Sequence, residues 1–526
     1  MSRYRRISQI VFLALFVFLL GQARFPYQRL IPSDLFVRLD PLAMGIAAAA
    51  DRSYISWLWA SAITIAVTII LGRVFCGWFC PMGTTIDLAE LALFPRRKIK
   101  DQKKNPQWLK YAALAAVVVC SFLGISLAYY LDPIPLISRI YAAVFYPLLS
   151  GLADFFVRLL APGFEKLHWQ KLAYLDLKPP FVRQIFLTLG IFAAIIGLSA
   201  ISPRFFCRSL CPLGALLGVC SRYARLGKHV SAECNNCKLC EKICPTGAIE
   251  KDTWTDREAE CIKCFICQDD CPKAAIKYSF ASGYRREARV DLGRRRLLAA
   301  SALGLGLGIA GRQSGELKLR PNHVIRPPGA LPENEFLARC TRCAQCAKVC
   351  PTRVIHPQGL EQGMAGVFAP RLDMRLSGCA QDCNVCGKIC PTKALRELDL
   401  EEKKYAKLGT AALDQNRCLV YAWGRTCQIC DEVCPYNAIV FKTVDDRRVP
   451  VVVPSRCNGC GWCEMVCPVI GESAIKIDPS GEIRLRSGSY KQEAFSRGID
   501  LSARDEDEKV EGPAENVPEE KFEQDK

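Results

Sequence analysis

Histidine is scarce in this chain. Four occur in 526 residues, His168, His229, His323 and His356, and none lies centrally in an apolar run. Paired axial histidines for a membrane haem b are therefore missing, and no haem is expected. Net charge is missing from the C-terminal part. Residues 312–526 carry 31 Lys+Arg against 31 Asp+Glu, so the whole surplus of +18 belongs to residues 1–311. A surplus confined to the more hydrophobic half sets membrane orientation, and no nucleic-acid partner is expected. Nor does a clean small-residue cleavage site follow the first apolar run, "ISQIVFLALFVFLLG". That run therefore reads as an uncleaved anchor.

Cysteine, by contrast, is abundant, with 30 in the chain. A secreted disulfide scaffold is the usual meaning of such a count, but here the cysteines cluster tightly and precede prolines. "CNNCKLCEKICP" places Cys234, Cys237, Cys240 and Cys244; "CIKCFICQDDCP" places Cys261, Cys264, Cys267 and Cys271. This is the C-x2-C-x2-C-x3-C-P run of bacterial ferredoxins, in which three close thiolates grip one [4Fe–4S] cluster and the fourth serves the other. Crossed ligation predicts Cys234, Cys237, Cys240 and Cys271 on one cluster, and Cys261, Cys264, Cys267 and Cys244 on the second. A zinc site would instead want two separated C-x2-C knuckles.

The run recurs at Cys340, Cys343, Cys346 and Cys350 and at Cys457, Cys460, Cys463 and Cys467. Two quartets depart from it. Cys379, Cys383, Cys386 and Cys390 have one extra residue in the first gap, and Cys418, Cys427, Cys430 and Cys434 have eight, "LVYAWGRT". The same crossing pairs Cys340, Cys343 and Cys346 with Cys390, and Cys379, Cys383 and Cys386 with Cys350. It also pairs Cys418, Cys427 and Cys430 with Cys467, and Cys457, Cys460 and Cys463 with Cys434. Six clusters are expected on these 24 cysteines, with Cys418 the least secure ligand. Short strands are expected after the prolines, in "GAIE", "AAIKY", "NAIVFK" and "SAIKI".

Four stretches, about 7–21, 54–72, 109–130 and 183–201, have the length and apolarity of membrane spans. The loop at 95–110 holds seven basic residues and one acid, which places it in the cytoplasm. The loop at 131–182 is balanced and suits the outside, and an apolar run inside it, 140–163, reads as an amphipathic or re-entrant surface helix. Two spans run into the same frame, "RVFCGWFCPMG" and "RFFCRSLCPLG". This repeat brings Cys76, Cys80, Cys207 and Cys211 to one face as a candidate redox-active or metal-binding site on the quinol side, whereas the isolated Cys120 and Cys220 read as packing thiols. "GRRRLLAASALGLGLGIAG" resembles a twin-arginine signal anchor, although its apolar run of about 15 residues makes a helix of roughly 22 Å, short of a hydrocarbon core.

The expected fold is an α-helical membrane domain, about four spans plus a fifth short anchor, with α+β ferredoxin-like two-cluster modules. Its parts are a membrane domain at 1–225, a cytoplasmic two-cluster module at 226–285 and the anchor at 290–312. A four-cluster domain at 330–485, outside in the periplasm, and an acidic disordered tail at 490–526 complete it. Residues 1–280 resemble the NapH family and the iron–sulfur membrane parts of NosR and CcoG; residues 290–480 resemble the NapG/MauM ferredoxins. That resemblance implies a multi-pass protein of the bacterial inner membrane. It would take electrons from the quinone pool, with quinol as substrate, and pass them to a periplasmic oxidoreductase or c-type cytochrome, such as the route to nitrate or nitrous oxide reductase. Electron supply for maturing a periplasmic metalloenzyme, reverse flow from a periplasmic dehydrogenase to quinone, and redox sensing are the alternatives; no signalling domain is visible for the last.

Overall fold

A computed structural model describes residues 2–27, 31–55, 57–94, 106–126, 128–166, 184–249, 257–280, 293–316, 324–360, 363–444, 447–499 and 501. Most of the basic loop, much of the balanced loop, His168, His323 and the chain beyond 501 lie outside the described residues. The acidic tail begins later than its composition suggests. Residues Tyr490–Ser496 form a helix whose start is capped by Ser489, and Glu402 accepts hydrogen bonds from Ser489 Oγ and the Tyr490 backbone at 2.5 and 2.6 Å. Tyr490 and Ala494 are fully buried.

The N-terminal part is a helical body. It comprises α1 (Ser2–Gln22), α2 (Pro41–Asp51), α3 (Leu58–Leu71), α4 (Pro81–Leu93), α5 (Trp108–Phe122), α6 (Pro133–Ala161), α7 (Ile185–Leu198) and α8 (Pro212–Cys220). Helices form at all four expected spans, but three are short. With 14, 15 and 14 residues, α3, α5 and α7 are each about 21–23 Å long. Gly72 at φ 82° stops α3 and Gly124 at φ 82° follows the end of α5, backbone that glycine adopts without steric penalty. Among the described residues, only α1 and α6 are long and apolar enough to cross a membrane. The run at 140–163, expected as an amphipathic or re-entrant surface helix, falls largely within this 29-residue helix, Pro133–Ala161. A π-turn at Tyr141–Phe145 absorbs the irregularity around Pro147 without breaking it.

The arginine-led segment is also longer than its apolar run. Helix α9 (Arg294–Glu316) has 23 residues, about 34 Å. It lies along α5 in parallel, with Arg296 over the Trp108 ring at 4.9 Å and Cys120 Sγ donating to the Gly304 carbonyl at 3.0 Å. A Cβ at Gly304 would stand 2.7 Å from the Ala116 carbonyl oxygen. Small residues let two helices approach this closely, and Cys120 packs in the contact, as its isolation suggests.

Four antiparallel two-stranded sheets belong to the cysteine-rich parts. Strand β1 (Gly227–Val230) pairs with β2 (Ile276–Ser279), and β3 (Ile355–Pro357) with β4 (Pro370–Leu372). Strand β5 (Thr410–Leu413) pairs with β8 (Ile475–Asp478), enclosing the hairpin of β6 (Ile439–Val444) and β7 (Arg447–Val452). Three of the four expected strands appear as β2, β6 and β8. "GAIE" contributes no named strand among the described residues.

The two cysteine-rich parts hold opposite ends of the helical body. At one end the 226–280 module meets Arg73, whose Nη1 donates to the Ala259 carbonyl at 2.9 Å, and Trp78, whose Nε1 donates to the Lys263 carbonyl at 2.9 Å. Glu260 is buried there, accepting from Tyr111 at 2.8 Å and from Lys110. At the other end Ser126 Oγ donates to the Ala338 carbonyl at 2.5 Å, and Arg342 Nη1 to the Ser126 carbonyl at 2.7 Å. Lys348 donates to the carbonyl of Ala23, just past α1, at 3.1 Å.

Overpacking the α5–α9 contact should cost about 1–3 kcal/mol. Gly304→Val is expected to lower the thermal midpoint measured in detergent, while Gly306→Val, where an added Cβ meets nothing within 4 Å, leaves it near the wild-type value.

Candidate iron–sulfur centres

Each regular quartet begins as a loop and ends as a single helical turn, for example Gln345–Val349 after Cys343 and Trp462–Val466 after Cys460. The loop has an unusual backbone. The residues on both sides of the second cysteine are left-handed: Asn236 and Lys238, Lys263 and Phe265, Arg342 and Ala344, Gly459 and Gly461, at φ between 51° and 85°. Such turns face consecutive backbone N–H groups into one concavity, a nest for an anionic group. The Cys-Pro corners repeat a second device. Gly247, Ala274, Arg353, Lys393 and Asn437, each three residues after its cysteine, are also left-handed, which turns following N–H groups back onto sulfur. Ala248 N donates to Cys244 Sγ at 3.3 Å, Ala438 N to Cys434 Sγ at 3.3 Å, and Leu395 N to Cys390 Sγ at 3.5 Å.

The quartets surround cavities with their fourth members exchanged. Cys234, Cys237, Cys240 and Cys271 line one; Cys340, Cys343, Cys346 and Cys390 line another. Cys379, Cys383 and Cys386 share a third with Cys350, and Cys457, Cys460 and Cys463 share a fourth with Cys434. The remaining two groups also gather. Cys244, Cys261 and Cys267 pack in one apolar cluster, with Cys264 in electrostatic reach of Cys244. Cys418, Cys427 and Cys467 share an apolar cluster, and Cys430 lies in reach of Cys427 and Cys418. The irregular loops lack the nest. No residue between Cys379 and Cys386 has positive φ, and only Gly424 does between Cys418 and Cys430.

Burial pushes the Cys343 and Cys460 thiols up to about 12 and Cys390 up to about 11, with neighbouring thiolates adding to the rise. A thiol this reluctant to ionise releases its proton to solvent only when a metal cation binds the sulfur in its place. Four such thiols around a nest of N–H donors fit an anionic metal–sulfur cluster. Since each ligand loses a proton on loading, lower pH opposes loading.

The C-terminal quartets are joined directly. Cys379 N donates to the Cys460 carbonyl at 2.7 Å, and Arg375 binds the carbonyls of Glu464, Cys467 and Val469 at 2.8–3.0 Å. Sequence spacing located the cysteines but not Arg375, nor the left-handed positions. The glycines at 247, 459 and 461 and the asparagines at 236 and 437 were the chemical signs of the latter.

The repeated motifs of the helical body also converge. Cys76, Cys80, Cys207 and Cys211 line a single cavity with Arg73, Arg204 and Glu260. Cys80 and Cys211 occupy the N-caps of α4 and α8, each followed by proline at the first helical position, and Gly214 N donates to Cys211 Sγ at 3.2 Å. Cys220 lies elsewhere, at the end of α8.

Comparison with known proteins finds iron–sulfur families in each of these parts. A family described as "4Fe-4S binding domain" matches residues 55–100 and 184–229, and another of the same description matches 229–250. Two families described as "4Fe-4S dicluster domain" match 339–420 and 425–470, and 258–354. The chain therefore carries multiple [4Fe–4S] clusters. It is 38% identical over 163 residues to the methylamine utilization ferredoxin-type protein MauM of Methylorubrum extorquens, covering 30% of this chain and 73% of that one. MauM of Paracoccus denitrificans is 35% identical, covering 37% and 87%, and the ferredoxin-type protein NapG of Escherichia coli is 33% identical, covering 37% and 89%. No solved structure matches significantly.

The left-handed loop positions give a test. Ala344 at φ 60° carries a side chain where one costs about 1–2 kcal/mol. Ala344→Gly should keep the full iron content and bleach more slowly in air; Ala344→Val, β-branched, should lower iron per chain.

Proposed function

Because the chain belongs to the family of the MauM and NapG ferredoxin-type proteins, iron–sulfur proteins of electron transfer, we propose that it is a multi-pass inner-membrane quinol dehydrogenase. On this reading it passes electrons through six [4Fe–4S] clusters, on the 24 cysteines as paired above, to a periplasmic oxidoreductase or c-type cytochrome. One observation carries the reading: the two ferredoxin parts cap opposite ends of the helical body, and α1 and α9 both run between them. Arg5, near the start of α1, lies against Cys264, whereas Ala23, just past its end, holds Lys348. The helix between, about 27 Å, is close to the thickness of a hydrocarbon core.

The charge of the loops supports an orientation with the 226–280 module in the cytoplasm and the 324–501 domain in the periplasm. The NapH-like, NosR-like and CcoG-like character of residues 1–280 supports quinol as donor, with the four thiols of the helical body on the electron route. Reverse flow, from a periplasmic dehydrogenase toward quinone, is the second reading. It is favoured by the relatives named for methylamine utilization.

Three measurements test this. Anaerobic iron and sulfide analysis should give about 24 of each per chain; about 16 would remove the two irregular quartets. In liposomes, a menaquinol analogue should reduce the clusters, and reporter fusions after residues 230 and 480 should score inside and outside. Reduction only by a cytoplasmic flavodoxin or ferredoxin would replace the dehydrogenase with a maturation role, and an inside score at 480 would leave a wholly cytoplasmic polyferredoxin.

A further inference from the structure

The helical body meets the C-terminal domain at two arginines. Arg139, on α6, and Arg342, inside the Cys340–Cys343 loop, are 0% and 2% exposed. Arg139 Nη1 donates to the Arg342 carbonyl at 3.3 Å, and Arg342 donates to the carbonyls of Ser126 and Ala365 at 2.7 and 2.8 Å. Aromatic faces lie against both. The Phe368 ring is 3.9 Å from Arg139, and the rings of Tyr130 and Tyr129 are 5.1 and 5.6 Å from Arg342. Arg139 Nε and Nη2 and Arg342 Nε nevertheless have no hydrogen-bond partner.

Two buried guanidiniums so placed call for an anion. Burying a charge is costly unless it is paired, and these two lie in electrostatic reach of each other. No carboxylate among the described residues forms an ion pair with either. Asp132, the buried carboxyl that precedes α6, engages Asp40 instead. Carbonyls and aromatic faces offset part of the cost but bring no countercharge. What both arginines face is sulfur. Arg139 lies in reach of Cys343 and Cys340, and Arg342 in reach of Cys340. Arg342 also lines the cavity of Cys340, Cys343, Cys346 and Cys390. A four-thiolate iron–sulfur cluster is anionic, and reduction adds one more negative charge. The cluster is the anion this pair fits, and the reduced cluster fits it better than the oxidised one.

The other three C-terminal centres carry less unmatched charge. Lys403, 5% exposed, donates to the carbonyl of Ala380, inside the Cys379–Cys383 loop. Lys407, 3% exposed, donates to the Cys457 carbonyl at 2.6 Å. Each of these two centres thus has one buried lysine, without a carboxylate partner among the described residues. At the remaining centre Arg375 binds the Cys467 carbonyl at 2.9 Å, but Glu464 lies in its reach and Asp431 in reach of Cys430. Arg326, which also reaches Cys340, is matched by Glu333, with Nη2 to Oε1 at 2.6 Å. Two unmatched buried cations therefore stand at the centre beside the helical body, and one or none at each of the others.

We propose that Arg139 and Arg342 act on the cluster held by Cys340, Cys343, Cys346 and Cys390, making it the most easily reduced of the four C-terminal clusters. A cation near a cluster stabilises the reduced form more than the oxidised form, because the reduced form carries the larger negative charge. Burial strengthens the effect by lowering the local dielectric. Arg139 belongs to the helical body and Arg342 to the ferredoxin domain, so the setting exists only while the two are docked. An electron in the C-terminal domain therefore rests at the face shared with the helical body, whichever way it travels. Its transfer across that face makes and breaks no bond. This rests on the cysteine pairing given above, and not on quinol as the donor.

The test is a redox titration of the full-length protein, purified anaerobically and followed by EPR, with iron and sulfide measured in each sample. Cys340→Ser, Cys379→Ser, Cys418→Ser and Cys457→Ser, made singly, assign the four C-terminal signals, since each alters or removes one. In wild type the Cys340 signal should be the first of the four to appear as the potential is lowered. Arg139→Gln should lower that cluster's electron affinity at least tenfold, about 59 mV for one electron, with iron unchanged. Arg139→Lys, which keeps the charge, should restore most of it. A Cys340 signal that appears after another of the four overturns the proposal, as does an unmoved potential in Arg139→Gln. Should Arg139→Gln lose iron or fail to accumulate, Arg342→Asn, suited to left-handed backbone at φ 56°, decides by the same shift. The wild-type order decides without any arginine variant. A wild type with no reducible C-terminal signal would sink the cluster reading itself, whereas full iron with unmoved potentials sinks this inference alone.

Discussion

A thiolate buried in an apolar interior needs a cation and hydrogen-bond donors around it, and most of this architecture follows from that need. Loops around the regular quartets twist into left-handed backbone to turn N–H groups inward. Cys-Pro corners turn others onto sulfur. In the helical body, where no such loop is present, two helix starts and two buried arginines surround the thiols. The same electrostatic problem is met by loop geometry at the periphery and by secondary structure in the middle.

The helical body has its own constraint, which is length. Three of the four helices at the expected spans, α3, α5 and α7, are shorter than a hydrocarbon core is thick, whereas α1, α6 and α9 are long. What lets α9 join the body is not hydrophobicity, which its alanines and glycines supply poorly, but close backbone approach at Gly304. Its partner α5 contributes Ala116 at the same level.

Much of the site was legible from spacing alone. Cysteine quartets followed by proline named their own cavities, including the exchanged fourth members, because metal ligation needs side chains at fixed intervals. The repeat at Cys76 and Cys207 likewise pointed to one converging set. Properties that depend on neighbours distant in sequence were not legible. Within the run at 140–163, Asp154 and Arg158 pair with each other on successive turns at 2.8 Å, a pairing that hydropathy alone does not display. The helix at Tyr490–Ser496 was not legible because the anchor for Tyr490 is Glu402, far away in sequence. Arg375, which ties one module to the next, carries no motif at all. The left-handed residues were hidden for a different reason: lysine, phenylalanine and arginine occupy positions where only glycine would have advertised the backbone.

The exchange of fourth cysteines has a consequence for how such a chain can be divided. Cys390 completes the cavity begun at Cys340, while Cys350 completes the one begun at Cys379. A cut anywhere between them would leave two halves, each with a three-legged site, so neither inherits a working centre. The bond from Cys379 to Cys460 extends the same dependence toward the last pair. Recombination, truncation or gene fission is therefore tolerable at the segments flanking α9 and ruinous within the modules. The protein can be shuffled only in units of two clusters.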